Sequence, residues 1–258
     1  MNGPAGVMAL VLAETVTGGL ALLFGSPLWG EVRRGFFLLT GSVLLVLAMA
    51  EWASAAAGAT AGSLAGRWST ILSAALAFAI LLVLVLLVLR RGTAARVAGF
   101  ASVGVAVATL AAMAATAAGS TIVALFQLLA GAAFLGGVTD GLLLGHWYLT
   151  ERSLPRRPID RATTFLIGAV VLEAAAVVAG GFGPGRQAEQ INPLLTSAGL
   201  APWIALGMIG TTALIAILIR AALRGTRASA VQAATGFFYL AVITALTAEF
   251  AAKIRFLP

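Results

Sequence analysis

Apolar runs of about twenty residues follow one another along nearly the whole chain, separated by short polar connectors. A helix needs about 20 mainly apolar residues to cross the ~30 Å hydrocarbon layer of a bilayer. Eight runs meet this requirement, near residues 6–25, 35–56, 68–89, 95–118, 121–149, 162–182, 200–219 and 228–252. The sequence therefore predicts an all-α integral membrane protein with about eight transmembrane helices and no soluble domain.

The composition excludes several classes of protein. Only 10% of the residues are charged, whereas soluble domains carry roughly 25%. The net charge of +7 does not indicate nucleic-acid binding, because the basic residues stand singly or in pairs between apolar runs and form no basic stripe. With no cysteine, disulfides, thiolate zinc sites and iron–sulfur clusters are excluded within the chain. The expected partner is the lipid bilayer.

The sixteen basic residues are distributed unevenly between alternate connectors. One side holds Arg33, Arg34, Arg90, Arg91, Arg96, Arg152, Arg156, Arg157, Arg161, Arg220, Arg224 and Arg227. The other side holds Arg67, Arg186, Lys253 and Arg255. Cytoplasmic loops carry the excess of Lys and Arg. We therefore predict a multi-pass protein of the cell (inner) membrane with both termini outside the cytoplasm. Residues 1–6 contain no basic residue, so the first helix is expected to be retained rather than cleaved as a signal peptide.

An internal repeat is indicated by two matches at nearly the same offset. A shift of 127 positions aligns six residues of the second run with six of the sixth, from Arg34 on Arg161 to Ala48 on Ala175. The tripeptide 91–93 also matches the tripeptide 224–226. Four crossings per repeat leave both halves in the same orientation. The sequence thus predicts two tandem, parallel-related four-helix bundles, in residues 1–120 and 121–258.

The fifth run is too long for one perpendicular crossing. We expect its helix to be tilted, to be kinked near Gly136 and Gly137, or to extend beyond the hydrocarbon layer.

Acidic residues inside the predicted spans are candidates for ligand or proton binding, since each costs at least ~2.5 kcal/mol to insert. Glu14 and Glu173 lie deep, where a carboxyl group must be neutral or paired; functional and structural roles are equally open for them. Glu51 and Glu249 lie near predicted outer ends, where snorkelling or capping is favoured.

The repeat draws attention to a fifth acid within the predicted spans, Asp140. A shift of 126 places Glu14 and Gly19 on Asp140 and Gly145, which gives each half an acid at a similar depth. Beyond this match the halves differ, so any site is expected to be biased toward the second half.

His146, Trp147 and Tyr148 follow Asp140 near the inner end of the fifth run. Together with Asp140 they could form a pocket for a polar headgroup at the inner leaflet, but an aromatic belt at the interface is the favoured interpretation. Asp140 and His146 are six residues apart, about 240° around a helix. They therefore share a site only if the helix is distorted or a third helix intervenes.

The sequence lacks the motifs of several common classes of enzyme. One histidine cannot supply bis-histidine haem ligation, and the chain contains neither a His-Glu-x-x-His nor a Gly-x-Ser-x-Gly motif. No metal site is predicted. An enzyme acting alone is the least supported class of function. A role as a non-catalytic subunit of an oxidoreductase complex remains an open alternative. The connector 183–193 is a candidate docking surface, although a solvated connector is favoured.

Two functional hypotheses remain. The chain is either a membrane subunit that binds a quinone or anchors and couples a redox partner, or a small proton- or cation-coupled transporter. In topology it resembles the DmsC and NrfD-type subunits of molybdenum-enzyme complexes, over the whole chain but without a shared sequence motif. This resemblance implies a quinone as the non-covalent cofactor and cytoplasmic or extracytoplasmic redox subunits as partners. A homo-oligomer is equally compatible with the sequence.

Overall fold

The structure, a computed structural model, describes residues 1–60, 62–117, 119–151, 154–182, 200–225 and 229–254. Within these residues it contains nine α-helices and no strand. The helices are α1 (Gly3–Gly25), α2 (Leu28–Glu31), α3 (Arg34–Gly58), α4 (Leu64–Val88), α5 (Gly92–Ala114), α6 (Thr121–Thr150), α7 (Arg157–Ala179), α8 (Leu200–Leu223) and α9 (Ser229–Lys253). All except the four-residue α2 are long and apolar enough to cross a membrane. The all-α, eight-span prediction is confirmed.

The helices form because backbone N–H and C=O groups in lipid must find partners within the protein. Their limits agree with the predicted runs to within a few residues. Some starts are fixed by local chemistry: α4 begins where the Ser63 hydroxyl accepts a hydrogen bond from the Gly66 N–H at 3.1 Å. The long fifth run forms a single 30-residue helix, α6.

The spanning helices pack in two groups of four. In the first ring, α1 contacts α3 and α5, and α4 contacts α3 and α5. In the second ring, α6 contacts α7 and α9, and α8 contacts α7 and α9. That these rings are copies of one repeat, divided at residue 120, stays a prediction.

The rings meet mainly through α1 and α6. In their most apolar windows, 78% of α1 and 56% of α6 is buried, against 33–39% for the other six spans. Gly18 and Gly136 allow this close packing, because a Cβ at Gly136 would lie 2.6 Å from the Cα of Gly18. The two central helices therefore touch backbone to backbone.

The eight spans alternate in direction, so Met1 and the end of α9 lie at the same end of the molecule. Near Met1, the Asn2 N–H donates to the Gly58 carbonyl at 2.8 Å. The opposite end carries Arg33, Arg90 and Arg156 and is called here the arginine-rich end. Its assignment to the cytoplasm stays a prediction. Arg152, Arg186, Arg227, Arg255 and the candidate docking connector 183–193 lie outside the described residues.

Candidate functional site

Glu14 lies in the middle of the central helix α1. It lies eleven positions from each end of that helix, a distance of about 16 Å at 1.5 Å per residue. Its side chain is fully buried, at 0% exposure. A Cβ added at Gly131 in α6 would lie only 2.5 Å from the Glu14 Oε1 atom. Glycine at 131 thus leaves the space that the carboxyl group occupies between the rings.

Lys253, the last residue of α9, is the partner of this carboxyl group. Its ammonium nitrogen lies 2.7 Å from Glu14 Oε1 and 2.9 Å from Glu249 Oε2. Glu249 precedes Lys253 by one helical turn, and its exposure is 0%. One buried ammonium group therefore binds carboxylates from both rings.

Glu173 in α7 is the fourth member of this group. It is 1% exposed, and its carboxyl group interacts electrostatically with Glu14, Glu249 and Lys253. The four residues are called here the Lys253 cluster. A single ammonium group thus contacts carboxyl groups from α1 and α9 and interacts electrostatically with a third from α7.

The cluster leaves acceptor capacity unused. Apart from the ion pairs with Lys253, no hydroxyl or N–H group of the described residues donates a hydrogen bond to the carboxyl oxygens of Glu14 and Glu249 or to Glu173 Oε2. The Glu249 carboxyl group lies within hydrogen-bonding reach of the carboxyl groups of Glu14 and Glu173, so these groups can share a proton. Buried polar atoms are almost always hydrogen-bonded in proteins. These oxygens can therefore accept protons.

Two predictions about this region are wrong. Lys253 is not a loop residue at the outer surface: it belongs to α9 and is 2% exposed. Glu249 neither snorkels nor caps, because it is buried beside Lys253. The physical reason is the length of α6, which extends beyond the end of α9. Thr235 and Phe238 of α9 pack at Gly145 and Gly141 of α6. This register places Lys253 level with residue 127, about 9 Å below the start of α6.

Glu51 is also buried, at 0% exposure, so the snorkelling prediction is wrong for this residue as well. Its Oε1 atom accepts a hydrogen bond from the Ser73 hydroxyl at 2.8 Å, between α3 and α4. Gly58 packs against Gly6, and Leu44 against Gly19, which places Glu51 at the depth of Glu14. It is thus an equally deep carboxyl group outside the Lys253 cluster.

Asp140 lies apart from this cluster, nine residues beyond Gly131 along α6, or about 13 Å toward the arginine-rich end. It is 4% exposed, and neither carboxyl oxygen has a hydrogen-bond partner. It lines a cavity of about 180 Å³ between α1, α2, α6 and α7. The remaining wall is mostly apolar and includes Leu22, Leu144 and Phe165.

Ion pairs join the two rings at the arginine-rich end. Arg161 of α7 pairs with Glu31 of α2. Arg33, just before α3, pairs with Glu151 after α6 at 2.8 Å. Because these side chains are partly exposed, each pair contributes little to stability. Their position nevertheless ties the rings together at this end.

His146, Trp147 and Tyr148 point to three different surroundings. His146 is exposed, with its Nδ1 atom 3.5 Å from the Tyr239 hydroxyl. The Trp147 indole N–H donates to Glu151 Oε2 at 3.0 Å, and the Tyr148 hydroxyl donates to the Pro155 carbonyl at 2.5 Å. The structure brings none of the three into the cavity that Asp140 lines. Their role in binding a ligand stays a prediction.

Lys253 is the functional candidate that the sequence analysis missed. The available signal was the spacing of Glu249 and Lys253, four residues apart on one helix, at which opposite charges attract. Among the described residues, the structure contains no group of three or more His, Cys, Asp or Glu side chains arranged to hold a metal ion.

Comparison of the chain with protein-family models, curated proteins and solved structures gives no match. The site must therefore be interpreted from its own geometry.

Proposed function

We propose that the chain is a small proton- or cation-coupled membrane transporter whose coupling site is the Lys253 cluster. The observation that carries this proposal is the convergence of Glu14, Glu173, Glu249 and Lys253 in the interior of the bundle, with every side chain at most 2% exposed. Ionisable residues in such positions mark ion pathways and proton relays in many membrane proteins.

A stabilising role alone does not explain why these four ionisable residues are buried together. Removing two charges from water costs several kcal/mol per ion, and well-packed apolar residues of similar volume are often as stabilising as a buried ion pair. Four ionisable groups at a packed helix junction therefore carry a desolvation cost that a purely structural role does not offset.

The balance of charge points in the same direction. Three carboxyl groups face one ammonium group, so full ionisation would leave two uncompensated negative charges in the bundle interior. A buried unpaired charge is far more costly than a neutral or paired one. We expect protons or monovalent cations to supply the missing positive charge, which is the property that an ion-coupled transporter requires.

The location of the cluster links ion binding to movement. Glu14 comes from the first ring, whereas Glu173, Glu249 and Lys253 come from the second. A displacement of one ring against the other would lengthen the 2.7 Å contact between Lys253 and Glu14. Binding of an ion at this junction would therefore favour one arrangement of the rings, as in transporters that bind ions between two helical repeats.

The test uses the purified chain reconstituted into liposomes that contain a pH-sensitive dye. A K⁺ diffusion potential drives proton entry, and radioactive Na⁺ uptake is measured in parallel. We expect one of the two ions to enter at least tenfold faster than into protein-free liposomes, in a saturable manner. Equal rates with and without the protein, for both ions, would contradict the proposal.

A quinone-binding membrane subunit is the second candidate. The observation that favours it is the cavity beside Asp140, whose apolar wall and single buried carboxyl group suit a quinone head. The topological resemblance to DmsC and NrfD-type subunits supports the same hypothesis, in which the chain is not an enzyme on its own and serves redox partner subunits. Mass spectrometry of small molecules extracted from the purified protein, with a visible absorption spectrum, tests it. A stoichiometric quinone without a haem Soret band would favour this candidate, whereas an empty protein would exclude it.

A further inference from the structure

We propose that the cavity beside Asp140 binds a small amphipathic organic cation, an alkyl- or arylammonium ion, which pairs with the Asp140 carboxylate. The cavity has a volume of about 180 Å³ and lies where the two rings meet. Binding sites for drug-sized ligands typically measure ~300–1,000 Å³. The ligand is therefore small, on the scale of one aromatic ring with a short ammonium substituent.

The positive charge of the ligand follows from the charges around the cavity. Asp140 is 4% exposed, and both of its oxygens lack a hydrogen-bond partner. The charged groups near the mouth are Arg161 on α7, which lines the cavity, and Glu31 on α2, which pairs with Arg161. The residues that α1 contributes to the lining are uncharged, and α6 contributes Asp140 as its only ionisable lining residue among those described. The cavity thus offers one acid without a counter-ion.

The wall determines the rest of the ligand. Leu22, Leu28, Leu144, Pro158 and Phe165 line the cavity with hydrocarbon, so an aromatic or aliphatic body gains contact there. A neutral quinone could accept a hydrogen bond only from the protonated form of this carboxyl group and would gain nothing from its ionised form. An ammonium group gains a charge-assisted contact with the same carboxylate.

Cation binding and proton release are linked at this residue. A protonated Asp140 that binds an ammonium ion releases its proton, and the ion pair that remains is neutral. An organic cation and a proton therefore compete for the same carboxyl group. This substrate class deepens the proposed transport function and rests on it, whereas binding itself is measured without any flux across a membrane.

The experiment measures equilibrium binding of radioactive benzyltrimethylammonium to the detergent-purified full chain at neutral pH. The competitor is neopentylbenzene, a neutral molecule of nearly the same shape. We compare wild type with Asp140→Asn, which removes the charge, and with Ala162→Phe, which fills the cavity and keeps the carboxyl group. Glu51→Gln is the matched control, because it replaces an equally buried carboxyl group outside the cavity. Size-exclusion profiles identify any variant that fails to fold, and Asp140→Glu then serves as the folded variant that retains the acid.

We expect saturable binding that weakens at least tenfold in Asp140→Asn and in Ala162→Phe but stays within about twofold in Glu51→Gln. Asp140→Glu is expected to bind within about fivefold of wild type, and neopentylbenzene should not compete. Undiminished binding in Asp140→Asn, equal competition by the neutral isostere, or no binding to wild type would overturn the inference. So would Asp140-dependent binding of dimethoxy-methylbenzoquinone in place of the ammonium ion. Ion flux into proteoliposomes without ammonium binding would reject this substrate class and leave the proposed transport function intact.

Discussion

The ammonium nitrogen of Lys253 lies 2.7 Å from the Oε1 atom of Glu14, although nearly the whole sequence separates the two residues. The contact joins α9 of the second ring to α1 of the first ring. Both side chains are shielded from solvent, with exposures of 2% and 0%. The proposed coupling therefore depends on this buried ion pair, and the fold cannot lose one partner of the pair without leaving a buried charge unpaired.

Replacing Lys253 with methionine should destabilise the protein strongly. The substitution keeps an unbranched side chain one atom shorter but leaves the carboxyl groups of Glu14 and Glu249 without their cation. Breaking a buried ion pair in this way costs roughly 3–5 kcal/mol. The free energy of unfolding can be measured by SDS titration in mixed micelles. The double variant Lys253→Met/Glu14→Gln should lose less than Lys253→Met alone, because one of the orphaned carboxyl groups is removed. A loss below about 1 kcal/mol in the single variant would show that this ion pair does not stabilise the fold.

Alanine at Gly136 should weaken the contact between the rings. Its Cβ would lie 2.6 Å from the Cα of Gly18, so α1 and α6 must move apart. We expect a loss of about 1–3 kcal/mol, as for other overpacked cores. Gly210→Ala in α8 is the matched control, because a Cβ there meets no atom within 4 Å. If both variants unfold at the same denaturant concentration, the close crossing is not a determinant of stability.

Leucine at His146 tests whether this exposed imidazole takes part in either candidate function. The imidazole is exposed, and its nearest described partner is the Tyr239 hydroxyl at 3.5 Å, the upper limit for a hydrogen bond. Under the transport proposal, ion uptake by His146→Leu should stay within about twofold of wild type. Quinone retention by the purified variant should also stay within about twofold, because His146 does not line the cavity beside Asp140. A tenfold loss of ion uptake would instead bring His146 into the transport pathway.

The spans were predictable because each of them needs a long apolar run, whatever its neighbours are. The deep acids Glu14 and Glu173 could be recognised for the same reason, since few charges occur within such runs. Lys253 could not be assigned in this way. It ends its helix beside a second basic residue, Arg255, and so has the sequence pattern of a charge that sets topology.

Three-dimensional contacts decide the rest of the site. The contact between Lys253 and Glu14 cannot be predicted from a local sequence pattern, because it depends on the position of α9 along the axis of α6. Packing of Phe238 at Gly141 sets that distance. The separation of Asp140 from His146, in contrast, agrees with the expectation from helical geometry, because α6 continues without interruption between them. Helix periodicity thus excluded one candidate site but did not reveal the other.

The most direct test of the account compares Glu14→Gln with Glu51→Gln in the proteoliposome uptake assay. The two substitutions are chemically identical, and both parent side chains are 0% exposed at the same depth. Of these two residues, Glu14 contacts Lys253, whereas Glu51 accepts a hydrogen bond from Ser73. If the Lys253 cluster is the coupling site, ion uptake falls at least tenfold in Glu14→Gln and stays within about twofold of wild type in Glu51→Gln. Equal uptake by the two variants would contradict the assignment of the Lys253 cluster as the coupling site.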